Sequence, residues 1–257
     1  MKNKSKYLQT QVEEGLLRVT INRPEKRNAL SRVLLEDLRT TFQIHADDPS
    51  LKLAVLVGAG DKSFAAGGDL RDLNEIRTLD DARKMAEEGK AALNAIRKFP
   101  VPVIAVLNGT ALGGGAELAV ACDLRIAASD AGIGFVQGKL NISSAWGGGI
   151  DLIQIVGRST ALRLLGTSEL LTPRQAFNMG LIDEIAEDEE NLPVFIERFI
   201  SPYLQQKPQV MRAFKALLIG ARDGLPRSEM DAIETHYFSL TWIDEAHWQA
   251  ADKLLSK

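Results

Sequence analysis

Cysteine and histidine are scarce in these 257 residues: Cys122 alone, and His45, His236 and His247. One cysteine closes no intrachain disulfide, so packing must hold the fold and a reducing compartment is expected. The histidines are scattered, with no HExxH or paired-cysteine spacing, so no metal site is expected. The G-x-S-x-G turn that would cue a serine hydrolase is also missing. Positive charge is not in excess: 31 Lys and Arg against 34 Asp and Glu give a net charge of −3. That argues against nucleic acid as a partner. The charged start MKNKSKYLQTQ carries no apolar stretch, so no signal peptide is expected and the cytoplasm is the expected compartment. The uncharged run 99–116 contains Pro100, Pro102, Asn108 and Gly109. It reads as strand, turn and loop rather than as a membrane span.

What is present is an ordinary globular composition, 45% hydrophobic and 25% charged. At about 150 residues per domain the length suggests one to two domains. Surface scaling predicts roughly 11,000 Å² exposed when folded. Five apolar runs read as strands, at 16–22, 52–58, 101–107, 124–128 and 131–135. The nearly continuous Val/Ile/Leu runs suggest strands buried on both faces. Helical patterns lie between them at 31–42, behind Ser31 as N-cap, and at 79–96. Alternating strand and helix predicts an α/β fold with mainly parallel pairing. Beyond about residue 170 only helices are predicted, at 172–179, 191–204, 207–224 and 228–255, with Pro193, Pro202, Pro208 and Pro226 at the breaks. Phe214, Tyr237, Phe238, Trp242 and Trp248 crowd this end. Such a stripe reads as core or subunit interface, or as the wall of a pocket shared with a neighbouring subunit.

Glycine is plentiful, 21 residues, and clustered: Ser63-Phe-Ala-Ala-Gly67-Gly68-Asp69, Asn108-Gly-Thr-Ala-Leu-Gly113-Gly114-Gly115-Ala-Glu117-Leu, and Trp146-Gly147-Gly148-Gly149. Glycine lets another group approach the peptide N–H closely, so two such loops can clamp one oxygen. Gly114 would open a helix, with a free N–H at the positive end of the dipole. Glu117, three residues on, falls on the same side of the first turn. The plainer alternative is that Glu117 only caps first-turn N–H groups of its own helix. Gly58-Ala-Gly60 after a strand lacks the further glycine of a dinucleotide loop, and Asp61 before Lys62 breaks a phosphate-binding loop.

Together, Asn22-Arg-Pro-Glu-Lys-Arg-Asn28-Ala-Leu30, Ser63 to Leu70, Asn108 to Leu118, Cys122-Asp123, Leu171-Thr-Pro-Arg-Gln-Ala176 and Gly180-Leu-Ile-Asp183 resemble the enoyl-CoA hydratase/isomerase (crotonase) family. The resemblance covers nearly the whole chain. It implies a spiral of ββα units over residues 1–200 and a helical region over 201–257 used in trimer formation, as a homotrimer or a dimer of trimers. It implies an acyl-CoA substrate and no separate cofactor. Gly68 and Gly114 match the two N–H donors of the family's oxyanion hole, where the thioester oxygen gains charge as an enolate forms. Lys26, Arg27 and Ala29, and Ala66, Gly67, Asp69 and Leu70, match the segments that border CoA.

One position departs from the pattern. Glu117 matches one of the two catalytic glutamates of the hydratases, but Gln137 stands at the place of the second. A glutamine cannot exchange protons, which counts against plain hydration and plain isomerisation. Phe135-Val136-Gln137-Gly-Lys139, Ser144-Ala-Trp146-Gly-Gly148 and Leu240-Thr-Trp242 look more like the ethylmalonyl- and methylmalonyl-CoA decarboxylase branch. Decarboxylation leaves the same enolate and needs one protonation. An apolar surround from Val136 and Trp146 would keep Glu117 neutral beside a malonyl carboxylate. Alternatively, Lys139 would attract that carboxylate. Enoyl-CoA hydration and a catalytically weak CoA-binding role are the alternatives.

Overall fold

The computed structural model describes residues 5–187 and 190–256, so the first four residues of the charged start lie outside the described residues. The chain opens with a hairpin, β1 (Leu8–Glu13) against β2 (Leu16–Ile21), turned by Glu14 and Gly15 at φ 49° and 85°. Positive φ at both turn residues matches the twist of the flanking strands. From β2 the chain repeats one pattern: a strand in a large sheet, a short strand in a small sheet, then a helix. The units are β3 (Leu53–Gly58), β4 (Ser63–Ala65) and α2 (Leu79–Arg97), then β5 (Val103–Leu107), β6 (Thr110–Leu112) and α3 (Gly114–Ala121). The third is β7 (Leu124–Ala127), β8 (Ile133–Gly134), a 3-10 turn at Val136–Leu140 and α4 (Gly148–Val156). In the first turn, before α1 (Arg32–Ala46), Leu30 bridges Gly68 where the small strand would fall.

With β9 (Glu184–Ile185), the large sheet runs β1-β2-β3-β5-β7-β9 and the small one β4-β6-β8. Among the described residues, the strand pairings within the two sheets are all parallel except the opening hairpin. Each turn therefore advances both sheets by one strand. All five residues of β5 are buried, as expected for a strand covered on both faces. Ser31 caps α1 by accepting from the Leu34 N–H.

Several expectations need correction. β1, β4, β6 and β9 were not foreseen, and β9 interrupts the stretch expected to be wholly helical. The strand expected at 131–135 shrinks to Ile133–Gly134. After α5 (Arg158–Thr167) and α6 (Pro173–Asn178), α7 (Leu192–Leu204) carries Pro202 inside its last turn rather than at a break. The single helix expected over 228–255 is two, α9 (Arg227–Trp242) and α10 (Glu245–Leu255), because Asp244 caps a new start by accepting from the Ala246 N–H.

Between α7 and α9, α8 (Pro208–Arg222) is tied to the spiral by Lys215, only 1% exposed, whose Nζ lies 2.5 and 2.6 Å from the Asp123 oxygens. Helices α9 and α10 bury no residue, and Phe238, Trp242, Ile243 and Trp248 face outward. The aromatic stripe is therefore not core. The exposed area, 14116 Å², exceeds the roughly 11,000 Å² expected of a compact monomer of this mass. No described helix is long and apolar enough to cross a membrane.

Candidate active site

Gly113 adopts φ +53° and lets the chain turn from β6 into α3. The helix then presses onto β4: a Cβ at Gly115 would lie 2.0 Å from the Ala65 carbonyl oxygen. This brings the loop after β4 beside the start of α3, so that a Cβ at Gly67 would lie 3.6 Å from the Gly114 nitrogen. Neither the Gly68 nor the Gly114 N–H donates to a protein acceptor among the described residues. Both glycines border one cavity of ≈ 160 Å³, as do Ala66, Gly67, Leu70, Glu117, Val136, Gln137 and Trp146. Its remaining lining includes Leu73, Met85, Leu140, Ile142, Ser143 and Ala145, with no Lys, Arg or His.

Glu117 is 3% exposed and caps nothing in its own helix. Its Oε1 accepts from Gln137 Nε2 at 2.9 Å and the Ala145 N–H at 3.4 Å, and its Oε2 from the Trp146 and Gly148 N–H groups, both at 2.9 Å. A Cβ at Gly148 would lie 2.4 Å from Glu117 Cγ, so only glycine allows the start of α4 to close over this carboxylate. The surround of Glu117 is thus not simply apolar, as Val136 and Trp146 had suggested: four N–H donors face it. Gln137 is 8% exposed, and its Oε1 is buried without a partner.

The loop over Glu117 is held from behind. Arg97, at the end of α2, donates from Nε and Nη2 to Asp151 Oδ2 of α4 at 2.9 and 2.7 Å, and from Nη2 to the Trp146 carbonyl at 3.0 Å. Nothing in the sequence marked Arg97 or Asp151, because the pair forms only when α2 and α4 meet. Leu73, Met85, Ile142, Ser143 and Ala145 were missed for a similar reason: most lie in irregular segments without periodicity.

The expected CoA-bordering segments are joined to each other. The Ala66 N–H donates to the Arg27 carbonyl at 3.0 Å, and the Asp69 N–H to the Leu30 carbonyl at 2.9 Å. Arg23 binds the Ala29 carbonyl at 2.5 Å and pairs with Asp69 at 2.9 Å. Burial alone would push the Asp69 carboxyl up, but the bond and charge of Arg23, together with the Arg71 and Asp72 N–H groups, outweigh it and the net shift is down. Asp69 is thus engaged by Arg23 rather than lining the cavity. Lys26 and Arg27 are exposed, and neither they nor Ala29 line the cavity. Lys139 also faces solvent and does not line it, so it is not placed to attract a carboxylate there.

Residues 11–249 match the enoyl-CoA hydratase/isomerase family model. The chain is 34% identical over 248 residues to the crotonyl-CoA hydratase of Syntrophomonas wolfei, covering 95% of this chain and 93% of the relative. It is 31% identical over 250 residues to the ethylmalonyl-CoA decarboxylase of Danio rerio, covering 95% and 81%. The crystal structure of an enoyl-CoA hydratase from Bacillus anthracis shares the fold at a TM-score of 0.90 and 24% identity, over 98% of this chain and 96% of that one.

Proposed function

The chain belongs to the enoyl-CoA hydratase/isomerase family, has its crotonase fold, and on that footing we propose that it decarboxylates a short alkylmalonyl-CoA through an enolate. The thioester oxygen sits between the Gly68 and Gly114 N–H groups. The bond from the α-carbon to the carboxylate breaks, its electron pair moves into the enolate, and CO2 leaves. Negative charge grows on the thioester oxygen, where one donor of this kind is worth about 3 kcal/mol in the transition state. Glu117 delivers one proton to the α-carbon and is reprotonated from solvent.

The observation that carries this reading is the amide of Gln137 bonded to Glu117, which leaves one proton-transfer group in the cavity. Decarboxylation needs one protonation; adding water across a double bond needs proton transfer at both ends. The cation-free, largely apolar lining agrees. A carboxylate there gives up its hydration without a counter-charge, and losing CO2 relieves that penalty. Gln137 suits a carboxyl that cycles between two states. Its NH2 donates to the carboxylate, and after a flip its unpaired oxygen can accept the O–H of the acid. Lys26 and Arg27 would meet CoA phosphates from the exposed rim. The outward aromatic face of α9 and α10 supports assembly as a homotrimer or a dimer of trimers.

Enoyl-CoA hydration is the second reading, favoured by the near full-length similarity to a crotonyl-CoA hydratase. The pure protein is incubated with ethylmalonyl-CoA, methylmalonyl-CoA and crotonyl-CoA. CO2 release from a malonyl thioester supports the proposal, and fast hydration of crotonyl-CoA without CO2 release overturns it. CoA binding without turnover of any of the three would leave a CoA-binding protein.

A further inference from the structure

Trp146 is seated in a notch made by three glycines. A Cβ at Gly89, within α2, would lie 2.2 Å from indole Cδ1 and Nε1; one at Gly114 would lie 2.3 Å from Cζ3; one at Gly68 would lie 3.8 Å from Cη2. The five-membered ring therefore packs on α2, and the six-membered ring reaches the backbone of both candidate oxyanion donors. Glycine is a poor helix former, and Gly89 sits in the run Met85 to Ala92, which otherwise favours helix. Alanine at 89 would suit the helix better but would collide with the indole. The side chain at 146 and the missing side chain at 89 are thus one fitted pair.

From this geometry we propose that Trp146, backed by Gly89, forms the floor of the acyl pocket and limits the substrate to short acyl groups. The limit rests on the acyl-CoA reading above but not on which reaction follows. An acyl chain leaving a carbonyl held between Gly68 and Gly114 runs directly against the indole edge. The rest of the wall is apolar, Leu70, Leu73, Met85 and Ile142 among it, so length is selected by volume rather than by hydrogen bonds.

The test is calorimetric titration of the full-length chain with free CoA and with butyryl-, hexanoyl- and octanoyl-CoA, saturated thioesters that undergo neither reaction. For the wild type, affinity should stop rising beyond butyryl-CoA. In Trp146→Leu, hexanoyl- and octanoyl-CoA should gain relative to butyryl-CoA by about 4-fold per newly buried methylene, which corresponds to about 0.8 kcal/mol. In Gly89→Ala the displaced indole should enter the cavity, and butyryl-CoA should lose about 4-fold or more relative to free CoA. The proposal is overturned if wild-type affinity climbs through octanoyl-CoA, or if folded Trp146→Leu keeps the wild-type ranking. Should Trp146→Leu fail to fold, an unchanged butyryl-CoA to CoA ratio in Gly89→Ala overturns it instead. A wild type that binds neither CoA nor any thioester would sink the acyl-CoA reading and the limit together, whereas affinity that climbs through octanoyl-CoA sinks the limit alone.

Discussion

Replacing Glu117 by glutamine separates its chemical from its structural role. The carboxylate accepts four hydrogen bonds, two on each oxygen. A glutamine keeps one acceptor oxygen, which can stay on the Trp146 and Gly148 N–H groups. Its new NH2 then faces Gln137, whose amide can turn to present the oxygen that has no partner in the wild type. Only the long contact to the Ala145 N–H, 3.4 Å, is lost outright. The net stability cost should be about 1 kcal/mol, the scale of one hydrogen bond, or roughly 2–4 °C in Tm for a chain of this size. Loss of a proton donor should lower kcat by about 10²–10⁴-fold. The assay pairs turnover with thermal unfolding of the same preparation. Turnover within about 3-fold of wild type would return Glu117 to a loop-pinning role, since the proton donor accounts for at least about 10²-fold. A large loss of Tm would refute the amide complementarity with Gln137.

Three other outcomes follow from buried or half-buried groups. Lys215→Ala leaves Asp123 buried without its main partner; such a loss costs about 3–5 kcal/mol and should lower Tm by roughly 6–20 °C, and a change below 2 °C would contradict the anchoring of α8. Burial, first among its causes, pushes the Cys122 thiol up to about 12, so iodoacetamide should leave it unmodified at neutral pH until the chain unfolds, as read by mass spectrometry. Asp69 has a lowered pKa in the folded state, so its contribution to stability is present above its unfolded value of about 3.9 and is lost as pH falls through the folded value. The Tm gap between wild type and Asp69→Asn should therefore hold above about pH 5 and narrow in more acid solution, and a gap independent of pH would refute the Arg23 pairing as its source.

The parts legible in the sequence were those that local rules determine. Nearly continuous Val/Ile/Leu/Ala runs marked β3 and β5, a shorter apolar run marked β7, and a serine before an amphipathic stretch marked the start of α1. Gly114 and Glu117 were readable because a helix start and its first-turn residue are contiguous, whereas Gly68, in a separate loop, was singled out by the family resemblance alone. Gln137 lies beside Glu117; Lys139, two residues on, does not line the cavity, because the 3-10 turn at Val136–Leu140 lines it with Val136, Gln137 and Leu140 and leaves Lys139 in solvent. Strands of two or three residues, β4, β6 and β9, are too short for periodicity to register, and their pairing partners lie in other turns of the spiral. The donors of Trp146 and Gly148, the Arg97–Asp151 pair and the fit of Trp146 to Gly89 depend on segments far apart in the chain. No spacing along the sequence announces them.

The proposed chemistry has one carboxyl group and two backbone donors carry an enolate made by loss of CO2. Decarboxylation of ethylmalonyl-CoA in deuterium oxide, followed by mass spectrometry of the thioester, tests it most directly. The expected product is butyryl-CoA carrying a single deuterium at the α-carbon, formed at least about 10²-fold more slowly by Glu117→Gln. Unchanged ethylmalonyl-CoA, together with conversion of crotonyl-CoA to 3-hydroxybutyryl-CoA by the same preparation, would contradict it.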